Sequence, residues 1–341
     1  MRALYTTSPA VYTLQDIPKP CPGFGEVLIK VDSVAICHTD INIKHGKSPA
    51  VRYPCVPGHE FSGTVEKCGE GTGLVPGARG SVQTIIACHG CPSCRLGKPM
   101  RCENFDELGL KRNGGFAQYC VIPARNFMRI PDNLSLEEAA LTEPLANAVT
   151  AVRRVSPGIA KNAVIIGPGP IGLLACGVLS LFSPANLVMF GTRDERLRIA
   201  KSFGATDVVN IRLEDGEKAL LRLLAGKKAD IVIDCSGSIH GFALSLKLVA
   251  PGGGIVYEGL VGVEDTIPFS PAMLQSNCGF YGIEGWCPED FQTAADLIAT
   301  GKIDVKPLIT HTMPLTQWEE GFRLAETKAD GAIKVILKPS L

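Results

Sequence analysis

Asn162-Ala163-Val164-Ile165-Ile166-Gly167-Pro168-Gly169-Pro170-Ile171-Gly172 is the stretch that decides the fold. An apolar run of strand length stops at a glycine, and the pattern G-x-G-x-x-G follows at once. An apolar helix is predicted next, from Leu173 to Leu181. Glycines in this setting permit a tight turn and let the backbone approach a pyrophosphate, which then lies on the N-terminus of the helix. Gly167, Gly169, Pro170, Ile171 and Gly172 are therefore candidate dinucleotide contacts. The same alternation continues along the chain. Strands are predicted at Asn186–Phe190, Ala229–Cys235 and Gly254–Tyr257, with a helix at Asp194–Phe203. Apolar runs alternating with helices imply an α/β fold with a doubly wound parallel sheet.

About twenty residues beyond such a fingerprint, a carboxylate usually receives the adenosine ribose of NAD. This chain has Gly191-Thr192-Arg193 there. Position 191 offers no carboxylate, and a guanidinium two residues on would welcome a 2′-phosphate. The expected cofactor is NADP(H) rather than NAD(H). Asp194 keeps the other reading open, since a small shift of the turn could return an acid to the ribose.

Further upstream, Cys37-His38-Thr39-Asp40 is followed by Gly58-His59-Glu60. A thiolate, an imidazole and a carboxylate are donors that Zn²⁺ prefers, and a catalytic zinc keeps one coordination position open. A metal in that setting activates an alcohol oxygen. Short strands such as Gly25–Val31, and the Gly- and Pro-rich segment from Pro54 to Gly80, suggest a barrel-like antiparallel domain. Cys88, Cys91, Cys94 and Cys102 follow with spacing C-x2-C-x2-C-x7-C. Four thiolates so close can close a tetrahedron around a structural zinc, with His89 as a bystander. Ser135 is a plausible cap for a helix at Leu136–Ala140. Glu143, read locally, is an exposed carboxylate at a helix end. Helix Pro288–Thr300 and strand Ala332–Lys338 have no place in the repeat of the parallel sheet, so they are assigned back to the first domain.

The 341 residues are enough for two domains, and Lys+Arg and Asp+Glu balance at 34 each. No basic field invites nucleic acid or an anionic membrane, and no apolar run is long enough to span a bilayer. The first five residues lack the apolar core of a signal peptide. Thirteen cysteines, an odd number, fit a reducing compartment better than a disulfide framework. The expected location is the cytoplasm.

Taken together, these motifs and their order resemble the zinc-dependent medium-chain dehydrogenase/reductase family of alcohol and polyol dehydrogenases, including those of the sorbitol and threonine type. The resemblance covers essentially the whole chain. It implies a GroES-like β-barrel catalytic domain at 1–148 and 286–341, carrying the structural zinc lobe at 88–102. A Rossmann dinucleotide-binding domain would occupy 149–285. It implies two zinc ions per chain. Cys37, His59, Glu60 and Glu143 match the surroundings of the catalytic ion, and Glu60 is similar to a ligand or an exchanging carboxylate. Asp40 resembles the carboxylate that orients the zinc histidine, and Thr39 the hydroxyl that takes the alcohol proton. Thr192, Arg193 and Arg196 fall where relatives bind the ribose or its phosphate. Lys334 resembles a terminal-strand base near the cofactor phosphates. Asn42 stands where many relatives carry a relay histidine, and His45 is near in sequence. A homodimer or homotetramer is implied, pairing through a Rossmann sheet edge around Ile255–Val263. The function expected is hydride transfer between a secondary alcohol, a polyol or sugar-derived one, and NADP(H), giving the ketone. NAD-dependent oxidation of threonine, an aldose or a simple alcohol is the alternative. A non-catalytic NADP(H)-binding zinc protein and a nucleic-acid-binding zinc protein are the readings from other classes.

Overall fold

The computed structural model describes residues 1–48, 50–259, 276–283 and 285–340. Two compact units divide the chain, Met1–Glu143 with Cys287–Leu341, and Pro144–Trp286.

The second unit is built on a six-stranded parallel sheet. Its order is Asp207–Asn210, Asn186–Gly191, Asn162–Ile166, Ala229–Asp234, Val249–Tyr257 and Gly279–Gly282. Order reverses about the Asn162–Ile166 strand, the arrangement in which a doubly wound sheet opens a crevice at its carboxyl edge. Strands covered on both faces become almost continuously apolar. Accordingly Val164, Ile166, Val188, Phe190, Val232 and Ile255 are all buried in one core. The Val249–Tyr257 strand begins five residues before the expected Gly254, because Val249 already pairs with Ala229 ahead of a register shift. It is hydrogen-bonded on both sides, so Ile255–Tyr257 is not the sheet edge expected for subunit pairing. That edge, among the described residues, is Gly279–Gly282, and 260–263 lie outside them.

The fingerprint helix runs Pro170–Ser180, starting three residues before the expected Leu173. Proline is favoured at this first helical position, where its missing N–H is an orphan anyway and its φ is already helical. Gly172 is required by contact. A Cβ there would stand 2.1 Å from the Gly167 carbonyl oxygen.

In the first unit the strands Ile309–Pro314, Lys334–Lys338, Glu26–Ala35, Glu60–Cys68, Arg79–Val82 and Phe127–Arg129 lie in that order, and Tyr119–Pro123 adds to Glu26–Ala35. The C-terminal strand thus returns to the N-terminal sheet, pairing Ile336 with Ala35 and Leu337 with Val34. Phe61, Phe116 and Phe322 are fully buried in its core. Ser135 does cap the helix Leu136–Ala140, accepting from the Glu138 amide while the Glu138 carboxylate accepts from the Ser135 amide. No described helix is long and apolar enough to cross a membrane.

The contact at Gly172 gives a direct test. Gly172→Ala must push the turn apart and is expected to cost about 1–3 kcal/mol of stability, read as a lower urea midpoint. An unchanged midpoint would mean that the turn relaxes freely.

Candidate active site

Two adjacent strands bring the first set of candidate residues together. Ala35, at the end of one, pairs with Glu60, at the start of the next. Cys37 follows Ala35 by two positions and His59 precedes Glu60 by one, so both reach the same end of the sheet. Cys37 is extended (φ −97°, ψ 160°) and caps the helix His38–Lys44. In the first turn of that helix Asp40 Oδ2 accepts the Cys37 amide at 2.9 Å. On the other side Gly58 takes φ +93°, and a Cβ there would press on the Phe116 ring at 3.0 Å. Glycine is what lets the chain turn His59 into the site.

Donor atoms of Cys37, His59 and Glu60 lie within 4.8 Å of one another. Thr39 Oγ1 is 3.7 Å from Cys37 Sγ. Asp40 is fully buried, and its Oδ1 lies 3.7 Å from His59 Nδ1, too far for a hydrogen bond, so both atoms are buried without a partner. Burial raises the Asp40 carboxyl, with His59 opposing. Burial would lower His59, but Cys37 and then Asp40 outweigh it and hold the imidazole well above its ordinary value. An imidazole that draws this much negative charge is a place for a cation. A soft thiolate, an imidazole and carboxylates together fit Zn²⁺.

Glu143 is only 8 % exposed, which overturns its local reading as a solvated helix end. Its charge acts on both His59 and Lys334. Lys334 also departs from expectation. It is 4 % exposed, and its ammonium donates to both carboxylate oxygens of Glu60, which is 1 % exposed. The base expected at the cofactor phosphates is instead committed to Glu60. Sequence reasoning missed this pair because the partners are 274 positions apart. It also missed Tyr12, whose hydroxyl donates to the Asp40 carbonyl at 3.4 Å. His45 is exposed and its Nε2 is 2.7 Å from Glu326 Oε1, which occupies it on the surface.

The second cluster joins Cys88, Cys91, Cys94 and Cys102, with sulfurs again within 4.8 Å of one another. Backbone amides point at the sulfurs, Cys91 N–H to Cys88 Sγ at 3.4 Å and Cys88 N–H to Cys102 Sγ at 3.2 Å. The amides of Gly90 and Cys91 hold the Cys88 thiol down to about 6. Burial and the neighbouring sulfurs push Cys94 up to about 12. Four sulfurs this close cannot all ionise without a cation among them, and the set fits a closed tetrahedral zinc, which would supply one. His89 is exposed at the rim.

In the second unit Gly169 caps the fingerprint helix with no side-chain bond to its first amides, which leaves them directed outward as an anion site requires. The turn after the Asn186–Gly191 strand packs on the fingerprint, since a Cβ at Gly191 would meet Pro168 Cγ at 2.6 Å. No carboxylate can replace that glycine without moving the turn. Thr192 is half-buried and Arg193 exposed at the cap of the next helix, Asp194–Ser202. Asp194 Oδ1 accepts from Asn210 Nδ2 at 2.7 Å. Arg196 is buried, and burial followed by repulsion from Arg193 lowers its pKa.

Comparison with known proteins shows the family to which the chain belongs. Residues 23–132 match the alcohol dehydrogenase GroES-like domain and 170–300 the zinc-binding dehydrogenase family. L-threonine 3-dehydrogenase of Bacillus subtilis is 37 % identical over 333 residues, covering 96 % of this chain and 94 % of the relative. A structure from Sinorhizobium meliloti, assigned as a zinc-binding dehydrogenase and bound to NADP, superposes with a TM-score of 0.93 at 28 % identity, over 99 % of both chains. An Escherichia coli CFT073 alcohol dehydrogenase complexed with NADH reaches a TM-score of 0.91 at 27 % identity, again over 99 % of both chains.

Metal content tests both clusters. The purified chain is expected to carry about two zinc equivalents, with Cys37→Ser losing one and Cys91→Ser the other by atomic absorption. Full metal content in both variants would contradict the assignment.

Proposed function

Because the chain belongs to the zinc-dependent medium-chain dehydrogenase family, we propose that it transfers a hydride between a polar secondary alcohol and NADP(H), forming the ketone. That it is an oxidoreductase acting on CH–OH groups follows from the family; the substrate and the choice of cofactor are our reading. The observation that carries the reading is the grouping of Cys37, His59 and Glu60 donors within 4.8 Å, with the Thr39 hydroxyl beside Cys37.

Cys37 and His59, with a carboxylate from Glu60 or Glu143, would hold the catalytic zinc. When bound, zinc supplies Lewis-acid polarisation of the substrate oxygen and the nicotinamide supplies the hydride acceptor. Thr39 Oγ1 would accept the alcohol proton while passing its own hydroxyl proton on to the cofactor ribose, so that it acts as a relay and not as a store. Asp40, 3.7 Å behind His59 Nδ1, would act on the ring through its charge, without a hydrogen bond at that distance. Cys88, Cys91, Cys94 and Cys102 would hold a second, structural zinc that shapes their lobe. Gly167, Gly169 and Gly172 would admit the pyrophosphate to the N-terminus of the helix, where Pro170 sets the first turn and Ile171 offers its amide. Arg193, with Thr192 and Arg196 nearby, receives the 2′-phosphate. Two features favour NADP(H): the crowding at Gly191, and the tie between Asp194 and Asn210.

A polyol is the first substrate reading, resting on Thr142-Glu143-Pro144-Leu145. L-threonine is the second, favoured by relatives named L-threonine 3-dehydrogenase at 34–37 % identity. A purely structural or NADP(H)-sensing role has no use for a hydroxyl set beside the thiolate. We take 1–148 with 286–341 as the catalytic domain and 149–285 as the cofactor domain. A homodimer or homotetramer is proposed, supported by the exposed Phe280 and Tyr281 on the edge strand Gly279–Gly282. The thirteen unpaired cysteines support a reducing, cytoplasmic setting.

Cys37→Ser is expected to abolish NADP⁺ reduction with polyols and with L-threonine while leaving the circular dichroism spectrum unchanged; full activity in that variant would sink the zinc reading. Arg193→Ala is expected to weaken NADPH binding by about 1–3 kcal/mol and to leave NADH binding unaffected. Fluorescence titration with each cofactor measures this, and equal losses for the two would reject Arg193 as the reader of the phosphate.

A further inference from the structure

The strand Asp207–Asn210 ends beside the turn that carries Thr192 and Arg193. Asn210 pairs with Gly191 in parallel register, and the Ile211 amide donates to the Gly191 carbonyl oxygen at 2.9 Å. The half-buried Asn210 side chain thus meets the start of the helix Asp194–Ser202. Its Oδ1 accepts the Arg212 amide at 3.0 Å, and its Nδ2 donates to Asp194 Oδ1 at 2.7 Å. Those two partners force the orientation of the amide, because a backbone N–H can only donate and an ionised carboxylate can only accept. Asp194 directly follows Arg193, and the charges of Arg193 and Arg196 lie close enough to repel. Two guanidinium groups so placed suit a phosphate. A carboxylate in the same space would compete for their donors and repel that phosphate. The bond from Asn210 commits the Asp194 carboxylate to the end of the next strand instead.

We infer that Asn210 is a positioning residue for cofactor choice: by holding the Asp194 carboxylate at the end of its own strand, it keeps an anion out of the 2′-phosphate subsite at Arg193. This rests on the NADP(H) reading above and adds to it a residue that acts through Asp194. Without the Asn210 donor, Asp194 is an exposed acid at the first position of its helix, next to Arg193 and free to turn. Pairing with Arg193 would weaken the grip on a 2′-phosphate. Bonding to a ribose hydroxyl would favour the cofactor that lacks the phosphate. Both consequences move the preference in one direction, toward NADH.

Fluorescence titration of the full chain with NADPH and with NADH tests this without turnover, the readout being the ratio of the two dissociation constants. Asn210→Ala should lower the preference for NADPH by about fivefold, on the order of one hydrogen bond to a charged group. Asp194→Asn should leave the preference at or above that of wild type. In the double variant Asn210→Ala/Asp194→Asn the loss should disappear, leaving the ratio within about twofold of that in Asp194→Asn alone. A merely structural role for Asn210, through the Arg212 amide or the strand end, would weaken both cofactors alike and would persist in the double variant. If Asn210→Ala does not fold, Asn210→Ser makes the same comparison, since its shorter side chain still offers an acceptor near the Arg212 amide. An unchanged ratio in the folded single variant overturns the inference, and so does an equal loss of preference with and without the Asp194 carboxylate. If wild type binds NADH at least as tightly as NADPH, the NADP(H) reading falls, and the inference with it.

Discussion

Charge balance around His59 is the constraint on which the rest of the first unit depends. Cys37, Asp40 and Glu143 all bear on this buried ring, and Glu60 begins the strand that follows it. Lys334 offsets Glu60. Ions removed from water and left unpaired cost several kcal/mol each, by order of magnitude. A fold that gathers so many acids in one place is stable only if positive charge joins them. The raised His59 pKa expresses the same demand. A dication held between Cys37 and His59 would meet it, and in the proposed reading would supply Lewis-acid polarisation of an alcohol oxygen.

The architecture serves this balance. The C-terminal strand returns through the sheet to pair with Glu26–Ala35, and in doing so delivers Lys334 to Glu60. The four-cysteine lobe solves a related problem differently. Its sulfurs are reached by backbone amides as well as by one another, and the closed set leaves no position for a substrate. In the proposed reading the two centres would differ in function because one would be completed by its own ligands and the other would not.

Much of this was legible in the sequence wherever the determinant is local. The glycine fingerprint announces a strand, a turn and a helix within eleven residues, and the six-stranded parallel sheet follows from repeating that unit. The cysteine spacing announces its own cluster. Helix and strand limits moved where tertiary pairing or a proline at a helix start decided them, as at Val249 and Pro170. What local sequence could not reveal was burial imposed from a distance. Glu143 reads as a helix-end acid until the fold covers it. The Lys334–Glu60 pair joins opposite ends of the chain, and no spacing rule connects them. Subunit pairing was placed on a strand that is interior to its sheet, because the strand that covers it, Gly279–Gly282, is short and gives little apolar signal.

The most direct test of the account is anomalous diffraction from crystals of the purified protein, recorded on both sides of the zinc absorption edge. The account predicts two zinc peaks per chain. One should lie about 2.3 Å from Cys37 Sγ and about 2.0–2.1 Å from a His59 nitrogen, and the other at the centre of Cys88, Cys91, Cys94 and Cys102. An anomalous map with no peak between Cys37 and His59, in protein never exposed to chelator, would contradict it.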